Sequence, residues 1–250
     1  MLFRSVKPDN GVGANNTYRL RSDEELRFFF DTKDDNTYIM EEFINGHVRT
    51  YDAIIDSHGQ PIFESGNVTP HSIMDIVNEN DNCMYYIVND LSPELRQLGR
   101  RTVAAFGVKS RFIHLEYFVL NADQEGVGEK GDILGLEVNM RPAGGYTTDL
   151  YDYAYDTDVY QIWADMVAFD HSDNAIRSRH YCAFLGRRDG KHFVLDHHAI
   201  LEKYGPSIKM YGRVPDALSG AMANQMYVAA FDTEEEVDRF FQEATATKDE

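Results

Sequence analysis

Four residues near the middle of the chain have side chains suited to holding a hard cation beside a phosphate: Glu116, Glu137, Asn139 and Arg141. Phe112–Leu120 and Asp132–Met140 both read as strands. On the first, Phe112, His114, Glu116 and Phe118 share a face. On the second, Ile133, Gly135, Glu137 and Asn139 do, while Leu134, Leu136, Val138 and Met140 form an opposite, core-like face. Antiparallel pairing brings Glu116 near Glu137 and Asn139. Carboxylates that close repel, and one takes up a proton unless a cation lies between them. Mg²⁺ suits the set, because it accepts a few carboxylate oxygens and takes its other ligands from water and substrate phosphates. Gly135 leaves room for a ligand beside them. Arg141, followed by Pro142-Ala143-Gly144-Gly145, sets a guanidinium just past the acids, where it suits an acyl phosphate or carboxylate. On the two acids alone, a solvated strand face with incidental charge is an equal alternative.

A second group stands at the start. Lys7 ends a short strand, Leu2–Lys7, and precedes Gly11-Val12-Gly13. A lysine is a point charge for a phosphate, and glycines let backbone N–H groups approach one. The pattern is not a P-loop, since no Gly-Lys-Ser/Thr follows.

The positioning elements are legible around these groups. Ser22 and Glu25 pair as a capping box ahead of Leu26, Phe29 and Phe30. Tyr38–Ile44, Val48–Asp56 and Pro61–Glu64 read as a meander of strands, turned at Asn45-Gly46 and Ser57–Gln60. Ser92-Pro93-Glu94 opens a helix with Leu95, Leu98, Val103 and Phe106 inward, ended by Gly107. Asp158–Phe169 is a helix with the only tryptophan, Trp163. Further on, Arg179–Leu185 and His192–Leu195 read as a hairpin turned at Asp189-Gly190, and Gln225–Phe231 as a strand. A capping box at Thr233–Glu236 opens a last helix with Val237, Phe240 and Phe241 inward.

Composition bounds the function. The 250 residues are 43% hydrophobic and 12% aromatic, enough for a packed core. A net charge of −18 argues against nucleic acid and against an anionic membrane surface as partners. It leaves nucleotides open, since a few local cations can hold a phosphate. Cys83 and Cys182 lack metal-binding spacing and read as reduced thiols of a cytoplasmic protein. His197-His198 reads as a structural pair.

Taken in order, these pieces resemble the ATP-grasp superfamily from Lys7 to about Met166. Val6–Ala14 is similar to its phosphate-binding lysine and glycine-rich loop, and Met40–Ile44 to its hinge strand. Leu136–Pro142 resembles its Glu-x-Asn-x-Arg segment, the most specific piece. The resemblance implies an α+β, mainly antiparallel fold divided at residues 1–40, 41–170 and 171–250. It implies Mg²⁺ (or Mn²⁺) at Glu116, Glu137 and Asn139, and ATP held by Lys7, Gly11, Gly13, Glu41, Phe43 and Ile44. Arg141 would be the catalytic contact to phosphate or substrate. The nearest branch contains carbamoyl phosphate synthetase, biotin carboxylase and the carboxylate–amine ligases. The implied activity is activation of a small carboxylate as an acyl phosphate for attack by an amine.

Two departures stand out. Gly46-His47-Val48-Arg49 lies where the family commonly carries a ribose-binding acid, and the family's N-terminal domain and first ATP lysine would precede Met1. The chain therefore reads as the C-terminal catalytic portion of a longer enzyme. A non-catalytic nucleotide-binding remnant and a small-molecule kinase stay open as alternatives, as does an oligomer.

Overall fold

The computed structural model describes residues 4–9, 17–70, 81–174 and 176–248. Two sheets are formed, and their named strand pairs are antiparallel. The smaller has the order β2 (Tyr18–Leu20), β1 (Arg4–Pro8), β3 (Tyr38–Glu42). Helix α1 (Asp23–Thr32) packs on it through Phe29, which joins Val6 and Leu20 in a small core. Ser22 caps α1 as expected, accepting from Glu25 N–H at 3.1 Å. Phe30, expected inward, is exposed. The first step of the expected meander does not form: β3 pairs with β1 rather than with the strand that follows it, while the strands at 46–55 and 61–65 pair as expected.

The larger sheet has nine strands. Its sequence members are β4 (Gly46–Ile55), β5 (Pro61–Ser65), β6 (Asn67–Thr69), β7 (Cys83–Ile87), β8 (Arg111–Leu120), β9 (Ile133–Asn139), β10 (Tyr181–Arg187), β11 (Ile208–Arg213) and β12 (Gln225–Phe231). The spatial order is β11-β12-β10-β7-β6-β4-β8-β9, with β5 alongside β4. Strands from beyond residue 171 therefore continue the sheet that carries the acids, through the β10–β7 pair. The hairpin expected at Asp189-Gly190 does not form. Gly190 turns the chain at φ +85°, but β10 pairs with β7 and β12, and residues 192–195 form no strand.

Alternation along the strands sorts side chains onto two faces. On β4, Tyr51, Ala53 and Ile55 pack against α2 (Pro93–Ala105), with Leu95 and Val103 of that helix. Ile54 of β4 and Phe112 of β8 point to the other face, under α3 (Thr147–Tyr155) and α4 (Val159–Phe169). A further core gathers β10 and β12 against α5 (His197–Tyr204) and α7 (Glu234–Thr245). A short helix, α6 (Asp216–Met222), precedes β12. Ser92 caps α2 and Thr233 with Glu236 forms the α7 capping box, both as expected. Gly107 takes φ +61° past the end of α2, while Phe106, expected inward, is exposed. No helix among the described residues is long and apolar enough to cross a membrane.

Candidate active site: a carboxylate face beside a hinge

Strands β8 and β9 pair so that Glu116 lies directly opposite Glu137 and His114 opposite Asn139. Residues paired in this way share a face, so the three expected cation ligands stand together on the α3/α4 side of the sheet. One part of the expected pattern fails. A bulge at Leu136 shifts the register, so that Tyr117 faces Gly135, Phe118 faces Leu134 and Val119 faces Ile133. Past the bulge, Leu134 therefore moves to the carboxylate face, and Ile133 joins Val138 against the α2 core. Gly135 is registered with the α2 side, and Met140, expected in the core, is exposed.

Beneath the acids lies a buried relay. Asp52 on β4 is fully buried and pairs in register with His114. Its carboxylate accepts from His114 Nδ1 at 2.6 Å and from the Thr50 hydroxyl. His114 Nε2 donates in turn to Glu116 Oε1 at 2.9 Å. Burial by itself pushes the imidazole pKa down, but Asp52 and then Glu116 outweigh it and raise the value to about 10. The ring is thus an imidazolium at neutral pH, with both nitrogens donating.

The donor set fits Mg²⁺ in a further respect. Asn139 Nδ2 is buried without a hydrogen-bond partner. Exchanging the ends of that amide puts an oxygen, a hard ligand, where the orphaned nitrogen stands. Among the described residues no three His, Cys, Asp or Glu side chains form a metal cage. Two carboxylates and an amide are what remains for an ion that completes its shell with water and phosphate. Arg141 follows this face in the chain, exposed, its Nη1 donating to the Pro142 carbonyl at 2.9 Å.

The other expected residues lie on the smaller sheet and the link out of it. Lys7 on β1 and Glu41 on β3 form an ion pair at 2.8 Å. Residues 43–45 connect β3 to β4 and so join the two sheets, which is the position expected of a hinge. The strand ends at Glu42, two residues short of the expected limit, leaving Phe43 and Ile44 in the connection itself.

Against solved structures the chain overlays at 98% coverage with an L-amino acid ligase from Bacillus licheniformis, at TM-score 0.67 and 17% identity. It overlays at 95% coverage with N5-carboxyaminoimidazole synthetase from Staphylococcus aureus complexed with ADP, at TM-score 0.66 and 9% identity. The biotin carboxylase domain of Hydrogenobacter thermophilus 2-oxoglutarate carboxylase, in complex with MgADP, ADP and bicarbonate, gives 97% coverage, TM-score 0.62 and 14% identity. The chain has the ATP-grasp fold. It spans 62%, 60% and 56%, respectively, of the lengths of those three chains. No family model and no curated protein matches the sequence.

Within this ATP-grasp fold, Gly11 and Gly13 lie outside the described residues. Three positioning residues escaped the sequence reading. Gln124 clamps the β3–β4 connection: its Nε2 donates to the Phe43 carbonyl at 2.7 Å and its Oε1 accepts from Asn45 N–H at 3.1 Å. Gly46 starts β4 so close to β8 that a Cβ would lie 2.7 Å from the Val119 carbonyl oxygen. Asp52 is the third. An acid set in the apolar run Ala53-Ile54-Ile55, level with a histidine two residues before Glu116, was the available signal. His47, in the expected ribose stretch, is tied to Asn121 at 2.9 Å. His197 begins α5, its Nδ1 2.9 Å from the Tyr227 hydroxyl.

Proposed function

We propose that this chain carries the adenine hinge and the divalent-cation face of an ATP-dependent ligase of the carboxylate–amine type. The carrying observation is the cross-strand register of Glu116 with Glu137 and of His114 with Asn139. Like charges directly opposite each other in a sheet are destabilising unless a cation lies between them. Mg²⁺ (or Mn²⁺) bound by Glu116, Glu137 and Asn139 would neutralise nucleotide phosphate oxygens.

In this reading the chain's own groups position the reactants. Phe43 and Ile44 offer backbone groups to the adenine edge, with Glu41 beside them. Lys7, now paired with Glu41, turns to the phosphates. Arg141 holds the acceptor carboxylate, whose oxygen attacks the γ-phosphorus as ADP leaves. The nitrogen of an amine then attacks the acyl carbon, and inorganic phosphate departs. Phosphoryl transfer of this kind depends chiefly on positioning and charge neutralisation. ATP consumption and two unpaired, buried thiols fit a cytoplasmic setting.

Calorimetric titration of ADP and ATP, with and without Mg²⁺, tests the cation face. Mg²⁺-dependent binding is expected, and Glu137→Gln should weaken it by at least about tenfold, or ~1.4 kcal/mol. Equal MgADP affinity in the two proteins would remove Glu137 from the site.

A further inference from the structure

A groove of about 510 Å³ opens where β8 begins and β9 ends. It continues the carboxylate face: Phe112 is two residues before His114 on the same side of β8, and Met140 and Arg141 directly follow Asn139. Trp163 and Val167, one turn apart on the outer side of α4, form the far wall. The Phe112 and Trp163 rings stand 6.2 Å apart. Met140, Trp163 and Val167 are 37%, 36% and 64% exposed, so the wall is apolar and open.

Two guanidiniums, Arg111 and Arg141, border this apolar wall. Among the described residues neither has an ion-pair partner, in a protein of net charge −18. Concave, mostly apolar sites with a few converging polar groups and volumes of about 300–1,000 Å³ are where small molecules bind.

We propose that the groove receives the acceptor as a carboxylate with an aromatic or bulky apolar tail. The tail lies against Trp163, and the carboxylate is turned by Arg141 toward the Glu116/Glu137 face. The binding needs no nucleotide; only the chemistry that follows rests on the ligase reading. Small, fully polar acceptors such as bicarbonate would leave the wall uncovered.

Trp163 is the only tryptophan, so the chain's fluorescence reports on the groove directly. Titration with 3-phenylpropionate should give a saturable change. Propionate, which lacks the tail, and 3-phenylpropan-1-ol, which lacks the carboxylate, should each bind roughly tenfold more weakly or worse. Arg141→Ala should lower phenylpropionate affinity to that of the alcohol and leave the alcohol unchanged. Val167→Asp, at an exposed position, should weaken the aromatic acid.

Four outcomes would overturn the proposal: no response to the acid, equal affinity for acid and alcohol, equal affinity for propionate, or a spectrum that shifts with protein concentration alone. The last would mean that a second copy covers α4. A chain that binds MgADP through Glu137 yet ignores phenylpropionate retains the ligase reading without this substrate class. The converse result retains the groove and removes the ligase reading.

Discussion

In the smaller sheet Lys7 and Glu41 meet at 2.8 Å with side chains 31% and 51% exposed, whereas in the larger sheet Asp52 and His114 meet at 2.6 Å with 0% and 9%. The first pair is reachable by solvent and can be parted by a ligand at small cost. The second is shut in under α3 and α4, where breaking it leaves a charge unpaired in an apolar surround. The cores differ in the same sense. Among the described residues, Val6, Leu20 and Phe29 form the buried cluster of the smaller unit, against three extended clusters around the larger sheet. Such a division suits a clamp that must yield and a base that must not. The unit proposed to hold nucleotide phosphates has few buried contacts, while the unit proposed to hold the cation is braced from below.

The largest expected break is Asp52→Ala. Removing the carboxylate leaves His114 buried with a proton it can share only with Glu116, and loss of one partner of a buried pair costs about 3–5 kcal/mol. Chemical denaturation should show this as a lowered midpoint. A loss under about 1 kcal/mol would mean that the relay is no brace. Next is Phe29→Ala, which empties the ring contacts to Tyr18 and Tyr38 at 5.3 and 5.1 Å. It should cost about 3 kcal/mol, confined to the smaller unit. Amide exchange is expected to speed up across β1, β2, β3 and α1 while β4 and β8 keep their protection. Equal loss in both would join the two units into one cooperative block.

What the sequence disclosed follows the same line between local and distant causes. Caps at Ser22, Ser92 and Thr233 were legible because each satisfies backbone groups within its own first turn. That Glu116, Glu137 and Asn139 share a face was legible because Glu116 lies in one strand, Glu137 and Asn139 in the next, and period-two alternation does the rest. The bulge at Leu136 was not, since no residue type announces it, and it moved Leu134 and Ile133 to opposite sides. The fate of β3 was equally hidden: its sequence is strand-like, but its partner is β1, more than thirty residues earlier. Asp52 and Gln124 act through contacts 62 and 79–81 residues away, at a range where periodicity carries no information. Helix α3 was within reach. Thr147, Leu150, Tyr151, Ala154 and Tyr155 are buried at helical spacing, obscured by the acids between them.

A smaller effect separates the units by pH. Asp152 on α3 accepts from Val159 N–H at 2.7 Å, yet burial pushes its pKa up to about 6 from 3.8. The folded protein therefore favours the protonated form. That contribution is complete below about pH 4 and is lost as pH rises through 6. Asp152→Asn keeps an acceptor for Val159 and removes the charge. Above pH 6 it should be more stable than the parent by about 1 kcal/mol, after discounting for partial exposure, with the difference vanishing near pH 4. The gain belongs to the larger sheet, so exchange in β1–β3 should not follow it.

The smallest stability effect is expected where the largest effect on binding lies. Lys7→Met removes an ion pair that is partly open to water, worth at most about 1 kcal/mol. The melting curve should barely move. If Lys7 holds phosphate as proposed, nucleotide affinity should nevertheless fall, and the loss should be greater for ATP than for adenosine. If Lys7→Met destabilised the fold as strongly as Asp52→Ala, the pair would be a brace like the buried one, and the contrast between a yielding clamp and a fixed base would collapse. If stability and ATP affinity both stayed unchanged, Lys7 would be only a surface partner of Glu41, and phosphate neutralisation would have to come from elsewhere.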